Sequence, residues 1–486
     1  MVKATLALAL LLVDDLASLL KLAADKDPDR RVQALESLKG DSKAAQALLP
    51  LLGDPHAKVR YRAQLAYRDL PDPLPPLKTA LHASAPLARQ TACQALGGSK
   101  RKEAVPLLLD RLADPDPFVQ GEAAAALGLL GDRSVSERLI DAFRKDSDWP
   151  LRASVLDALS RLSPDRLPEL LDTAATAGPY QVRLAAAGYG HPELVADRDW
   201  RVRAAAIEAC LARRDRASIS ALVDQFPRET GRLRWDVFGA LGDLTGKDLG
   251  LNPQAWKAWW DANRETFDPK PRPSAKAAVA PPPGGETQAR FFKIPILSTR
   301  LLFLLDLSGS MRDPSPEGGT KLDVAKKGMA ETIRSLPTDA RFGILGLGCA
   351  EDGTYALREK KTWQGRPALL PANSACKADA ARFVAALEAK GWTNLYDGIE
   401  YAFSEPDVET VYLYSDGGAS KGTFVASAEI LHHLSKMNRF RRIVIHTVEV
   451  PGEKNPADNR RLLQEIAKAT GGTSALYEGK SRDGRK

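Results

Sequence analysis

Cysteine is scarce in this chain. Four occur in 486 residues, at positions 93, 210, 349 and 376, with no CxxC pair and no Cys/His cluster, which excludes the common zinc frameworks. Only six histidines are present, and no HExxH, G-x-S-x-G or P-loop segment occurs, so the familiar metalloprotease, serine hydrolase and nucleotide-binding signatures are missing. No apolar run approaches the roughly 18 residues of a membrane-spanning helix. The longest opens the chain, MVKATLALALLLVDD, and stops at Asp14 and Asp15. Residues 1–14 read either as the charged and apolar regions of a secretory signal or as a greasy first helix. No small-x-small cleavage site follows, and localisation stays open between export and cytoplasm. Basic residues exceed acidic ones by 69 to 62, for a net charge of +7, but no basic run is interleaved with aromatics, and no nucleic-acid partner is expected.

What is present is an ordinary globular composition, 44% apolar and 27% charged, in a chain too long for one core. Cys93 and Cys210 sit in alanine-rich helical stretches and read as packing residues. Cys349 and Cys376 share the C-terminal half, and whether they pair is left open by the sequence.

The N-terminal half repeats itself. DPDRRVQALESL (27–38), DPHAKVRYRAQL (54–65), DPDPFVQGEAAAAL (114–127), DSDWPLRASVLDAL (146–159) and DRDWRVRAAAIEAC (197–210) each begin with Asp and place Val or Leu five residues later. Weaker copies surround Leu87, Val182 and Leu233, and all steps but the one from Val182 to Val202 span 27–32 residues. The Asp reads as a helix cap, the proline fits a first turn, and the apolar residues recur at helical spacing. One helix pair cannot bury its apolar face alone, so the units must stack. The stretch resembles HEAT repeats of the short bacterial type over about residues 15–245, most closely in DPDPFVQGEAAAALGLLGD (114–132). Trp256, Trp259 and Trp260 on one short helix read as a cap sealing the array, which gives helical repeats over 15–267. A Pro/Ala-rich linker follows at 268–290.

From residue 291 to about 480, strand-like runs at 301–307, 341–347, 410–416 and 442–450 alternate with helical segments at 321–336, 378–390, 423–437 and 459–470. Strands apolar on both faces and separated by helices predict an α/β doubly wound, Rossmann-like fold with a mainly parallel sheet, whose ligands bind at the carboxyl ends of the strands. Three polar groups fall at or near such ends: Asp306-Leu-Ser308-Gly-Ser310, Thr393 just before a helix, and Asp416 in YLYSDGG. Two carboxylates and three hydroxyls make a hard-oxygen site suited to Mg²⁺. Residues 481–486 form a basic tail.

These residues, in this order, closely resemble a von Willebrand factor A-type (vWA) domain with a metal-ion-dependent adhesion site, over about residues 298–478. Its pattern is Asp-x-Ser-x-Ser, a later Thr, and an Asp in a Thr/Ser-Asp-Gly turn. Asp306, Ser308, Ser310, Thr393 and Asp416 match all five positions, with Ser-Asp-Gly-Gly in place of the commoner Thr-Asp-Gly. The resemblance implies Mg²⁺ (or Mn²⁺ or Ca²⁺) coordinated directly by Ser308, Ser310 and Thr393, with Asp306 and Asp416 acting largely through water or by accepting hydrogen bonds from the groups that touch the ion. A partner's Asp or Glu then completes the octahedron.

The expected function is therefore a non-enzymatic scaffold, with protein partners on both the solenoid and the metal site. The alternatives are a subunit acting with a separate ATPase, as in chelatase-like systems, and a metal-independent structural module. A phosphatase-like DxD would need a carboxylate at Ser308. His432 and His433 read as surface or packing residues of an amphipathic helix, and His446 lies inside a strand.

Overall fold

The computed structural model describes residues 16–38, 42–145, 148–269, 289–315, 318–348, 367–450 and 456–477. The leading segment 1–14, nearly all of 268–290, Cys349 and the tail 481–486 lie outside them. Chain contacts divide the molecule into two compact units, Met1–Leu194 and Val195–Lys486. The division falls within the helical array, so its last repeats are counted with the α/β domain. Among the described residues no helix is long and apolar enough to cross a membrane.

In the first unit, one series of helices runs Pro28–Glu36, Ala57–Arg68, Pro86–Gly98, Pro117–Leu130, Trp149–Leu162 and Tyr180–Gly188, with shorter helices such as Val105–Arg111 and Ser136–Lys145 between them. Val32, Val59, Val119, Leu151 and Val182 are buried, as the periodicity predicts. Leu87 is not: it is 40% exposed, and Ala88 takes the inward position. Small residues set the spacing of neighbouring helices. A Cβ on Gly97 would lie 2.8 Å from the Ala126 backbone, and one on Gly128 would lie 2.8 Å from the Ala158 backbone, so these two helix contacts require glycine.

The aspartates at the starts of the repeats, at the first or third position, divide into two roles. Asp27, Asp116 and Asp199 cap helices, accepting backbone N–H groups at Asp29, Phe118 and Arg201. Asp54 and Asp114 instead receive an arginine from the preceding repeat, Arg31 and Arg89, each through two hydrogen bonds of 2.7–2.9 Å. Those arginines also donate to the carbonyls of their own preceding turn, Arg31 to residues 25 and 26 and Arg89 to residues 83 and 84. Arg60, Arg183 and Arg203 clamp their turns in the same way, and Gln120 does so once. The clamp always sits six residues after the start of its turn, which makes Asp25 rather than Asp27 the equivalent of Asp54 in the first repeat. Carbonyls at the turns thus find donors, and the charges of Arg31, Arg89 and Arg203 are matched by Asp54, Asp114 and Glu229 of the next repeat.

The second unit begins with the helices Trp200–Arg213, Arg216–Gln225 and Gly231–Thr245, closed by Pro253–Asn263. Trp256 and Trp260 are buried, and Trp259 and Trp260 pack edge-on against Phe267. Each buried indole N–H has a partner, Gly250 O and Ser220 Oγ respectively, so burying these rings leaves neither donor unsatisfied.

Its sheet has six strands in the order β5-β4-β3-β6-β7-β8: β3 (Arg300–Asp306), β4 (Arg341–Leu347), β5 (Leu370–Pro371), β6 (Thr410–Ser415), β7 (Val444–Glu449) and β8 (Ser474–Leu476). All pairings are parallel except β4 with β5. A small hairpin, β1 (Arg290–Phe291) and β2 (Ile294–Pro295), precedes it. Leu301 to Leu305 are fully buried because helices cover both faces of β3. The repeat helices meet the strands at their amino ends. Gly231 abuts Thr299, Arg201 donates to Pro406 O at 2.5 Å, Arg442 pairs with Glu208, and the Trp200 ring lies beneath the guanidinium groups of Arg232 and Arg300. The carboxyl ends of the same strands carry the polar loops.

Candidate metal site

β3 is the switch point of the sheet. The chain leaves it for β4 on one side and returns through β6 on the other, which opens a crevice above its carboxyl end. Parallel register places Leu305 of β3 beside Tyr414 of β6, so the residues that follow, Asp306 onward and Ser415-Asp416, leave the sheet together.

Asp306 is fully buried. Its Oδ1 accepts the Ser308 N–H at 2.8 Å, and its Oδ2 accepts the Ser415 hydroxyl at 2.6 Å. Ser415 Oγ in turn accepts the Gly417 N–H at 2.9 Å, which orients the turn around Asp416. The hydroxyls of Ser308 and Ser310 lie 3.0 Å apart. Burial, and then the charge of Asp416, push the Asp306 carboxyl up to about 6, against the pull of the Ser415 and Ser308 hydrogen bonds. Two carboxylates therefore share a poorly solvated space.

Thr393 arrives on a separate loop that is stitched to the first. The Gly309 N–H donates to Gly391 O at 2.9 Å and the Lys390 N–H to Leu307 O at 2.6 Å. Ser420, from the loop after β6, accepts the Thr393 N–H at 3.0 Å and returns its own N–H to Thr393 O at 3.0 Å. The helix Leu395–Phe403 starts directly behind, capped by Asn394. The structure thus brings Asp306, Ser308, Ser310 and Asp416 to one crevice and ties the loop of Thr393 to it through backbone bonds.

Two participants escape a motif search. Ser415 looks like a strand residue until its hydroxyl is seen on Asp306. Lys321, 4% exposed, places Nζ 3.2 Å from both Asp416 Oδ2 and Asp313 Oδ2. A lysine at the first position of a helix opposes the helix dipole, and that misfit was the one signal available in the sequence. Among the described residues no three His, Cys, Asp or Glu side chains converge. The donor set here is two carboxylates with hydroxyls, which fits a hard divalent cation such as Mg²⁺. His433 stacks on Phe424 with centroids 3.8 Å apart, and His446 stacks on Tyr412, so both are packing residues.

The profile of the von Willebrand factor type A domain matches residues 299–476. That of HEAT repeats matches residues 74–160. The chain carries HEAT repeats followed by a vWA domain. Human von Willebrand factor A domain-containing protein 5A is 25% identical over 188 residues, 37% of this chain and 21% of that protein. Deoxyhypusine hydroxylase of Aspergillus clavatus is 34% identical over 123 residues, 23% of this chain and 36% of that enzyme. The chain thus spans well under half the length of each. Among solved structures, a von Willebrand factor type A protein from Catenulispora acidiphila aligns at 19% identity and a TM-score of 0.29, over 38% of this chain and 40% of that one.

Proposed function

We propose that this protein is a non-enzymatic scaffold whose vWA domain binds an acidic residue of a partner protein through a divalent cation held by Asp306, Ser308, Ser310, Thr393 and Asp416. The observation that carries this reading is the fully buried Asp306 and the part-buried Asp416 beside the two serine hydroxyls, at the switch point of the sheet. Ser308 and Ser310 present neutral oxygens. Asp306 is held by Ser415 and the Ser308 N–H, and with Asp416 it supplies the negative charge that attracts the ion. Bound there, Mg²⁺ offers a Lewis-acidic position to a carboxylate oxygen of the partner. Trp392, 45% exposed and adjacent to Thr393, supplies an apolar rim of the kind that anchors protein contacts. The HEAT array supplies a second, metal-independent surface for protein partners.

The test is a calorimetric titration of Mn²⁺ into the full chain. One site is expected in the wild type and none in Asp306→Ala, with the variant's thermal unfolding showing that it stays folded. Unchanged affinity in the variant would refute the site. Partners captured by the chain are then challenged with EDTA and with Thr393→Ala. Those on the vWA domain should be released by both, and those on the repeats by neither. If every partner survives both, the metal-independent module is the correct reading. An enzymatic role would rest on the hydroxylase likeness alone, over about a quarter of the chain.

A further inference from the structure

We propose that Lys321 is a resident counter-charge of the metal site, which loosens its grip on the cation and keeps the loaded site positive enough to take an acid. The inference rests on the metal reading above. Lys321 is fixed in place by its backbone: its N–H donates to Asp313 O at 3.0 Å, and the capping box between Thr320 and Asp323 starts its helix in that position. The side chain is buried, and its ammonium shares itself between Asp416 and the half-exposed Asp313.

The charge count gives the consequence. Asp306 and Asp416 together carry two negative charges, which a divalent ion alone would formally cancel, so a partner's carboxylate would be drawn only by the local field of the ion at its open position. The Lys321 ammonium against Asp416 makes the loaded site more positive than those two carboxylates and the ion alone would leave it, the opposing charge of Asp313 being half-exposed and screened by solvent. The same ammonium repels the incoming cation and occupies an oxygen of Asp416. Weaker metal binding is thus exchanged for stronger binding of an anion. Asp313 sets the balance by drawing the ammonium outward, away from Asp416.

Mn²⁺ alone, titrated into the full chain, tests this. Lys321→Met retains much of the buried stem and removes the charge, and it is expected to bind Mn²⁺ about tenfold more tightly or better, the scale of one unit charge at short range in a partly screened site. Lys321→Arg should stay near the wild type. Asp313→Asn, at a half-exposed position that does not threaten the fold, should weaken Mn²⁺ binding, and this effect should shrink in the double variant with Lys321→Met. A lysine that merely stabilised the loop would give the opposite sign, because its loss would loosen the site. Equal or weaker Mn²⁺ binding by a folded Lys321→Met, or an Asp313→Asn effect undiminished in the double variant, overturns the inference while leaving the metal site standing. A wild type that takes up no Mn²⁺ overturns the metal reading itself.

Discussion

Replacing Asp114 with alanine tests how the repeats are held together. Its side chain is fully buried, and Arg89 reaches it through Nε at 2.9 Å and Nη2 at 2.7 Å, with Arg111 a further 3.5 Å away. The Asp116 N–H also donates to it at 3.0 Å. Truncation leaves the Arg89 guanidinium, about a tenth exposed, with its charge unmatched and two donors unpaired. Breaking one side of such a buried pair costs about 3–5 kcal/mol, because the remaining charge cannot be resolvated. Asp116, two residues on, is a cap, and Asp116→Ala should cost only about 1 kcal/mol. A chain of several units does not unfold in one step, so hydrogen exchange read over residues 74–160 is the suitable assay. The opening free energy there should fall by about 3–5 kcal/mol in Asp114→Ala and several-fold less in Asp116→Ala. Equal effects, or an Asp114→Ala effect below about 1 kcal/mol, would show that the clamp is decorative and the repeats are held by apolar contact alone. Acid should mimic the mutation. Burial raises the Asp114 carboxyl, but the hydrogen bonds from Arg89 and Asp116 outweigh it and hold it below the usual carboxylate range. This stabilisation is therefore complete above that range and is lost as pH falls below it, through the depressed value of the folded state.

Further outcomes are expected elsewhere. Gly128→Val should destabilise the repeats by about 1–3 kcal/mol in the same exchange assay, since its Cβ would meet the Ala158 backbone at 2.8 Å. Because Asp306 in the cation-free fold holds its proton up to about pH 6, where an unfolded aspartate has lost its own, stability is present at low pH and falls as pH rises towards that value. The gain in melting temperature on adding Mg²⁺ should therefore be larger at pH 7.5 than at pH 5, and a gain independent of pH would contradict the assignment. Trp392→Ala should weaken the EDTA-sensitive partners roughly tenfold or more while leaving Mn²⁺ affinity unchanged, as measured by surface binding and calorimetry.

Much of this architecture is written locally. A Val or Leu recurring at 27–32 residues in all steps but one, and an apolar run ending in Asp306, are statements about periodicity, and periodicity survives in one dimension. The helical repeats, the parallel sheet and the loops at its carboxyl ends were legible for that reason. Local reading failed where a residue's role depends on a partner far along the chain. Asp114 and Asp116 look alike in DPDP, yet one meets an arginine 25 residues back and the other caps the helix it precedes. Leu87 and Ala88 both suit a helix, and only the neighbouring helices decide which of them turns inward. Asp306 and Ser415 are 109 residues apart and joined by one hydrogen bond. Lys321 reads as a surface lysine until the sheet brings Asp416 to it across 95 residues. Period and capping are properties of neighbouring residues, so the chain alone determines them. Charge balance in a buried crevice is a property of whatever the fold gathers there, and only the tertiary structure decides it.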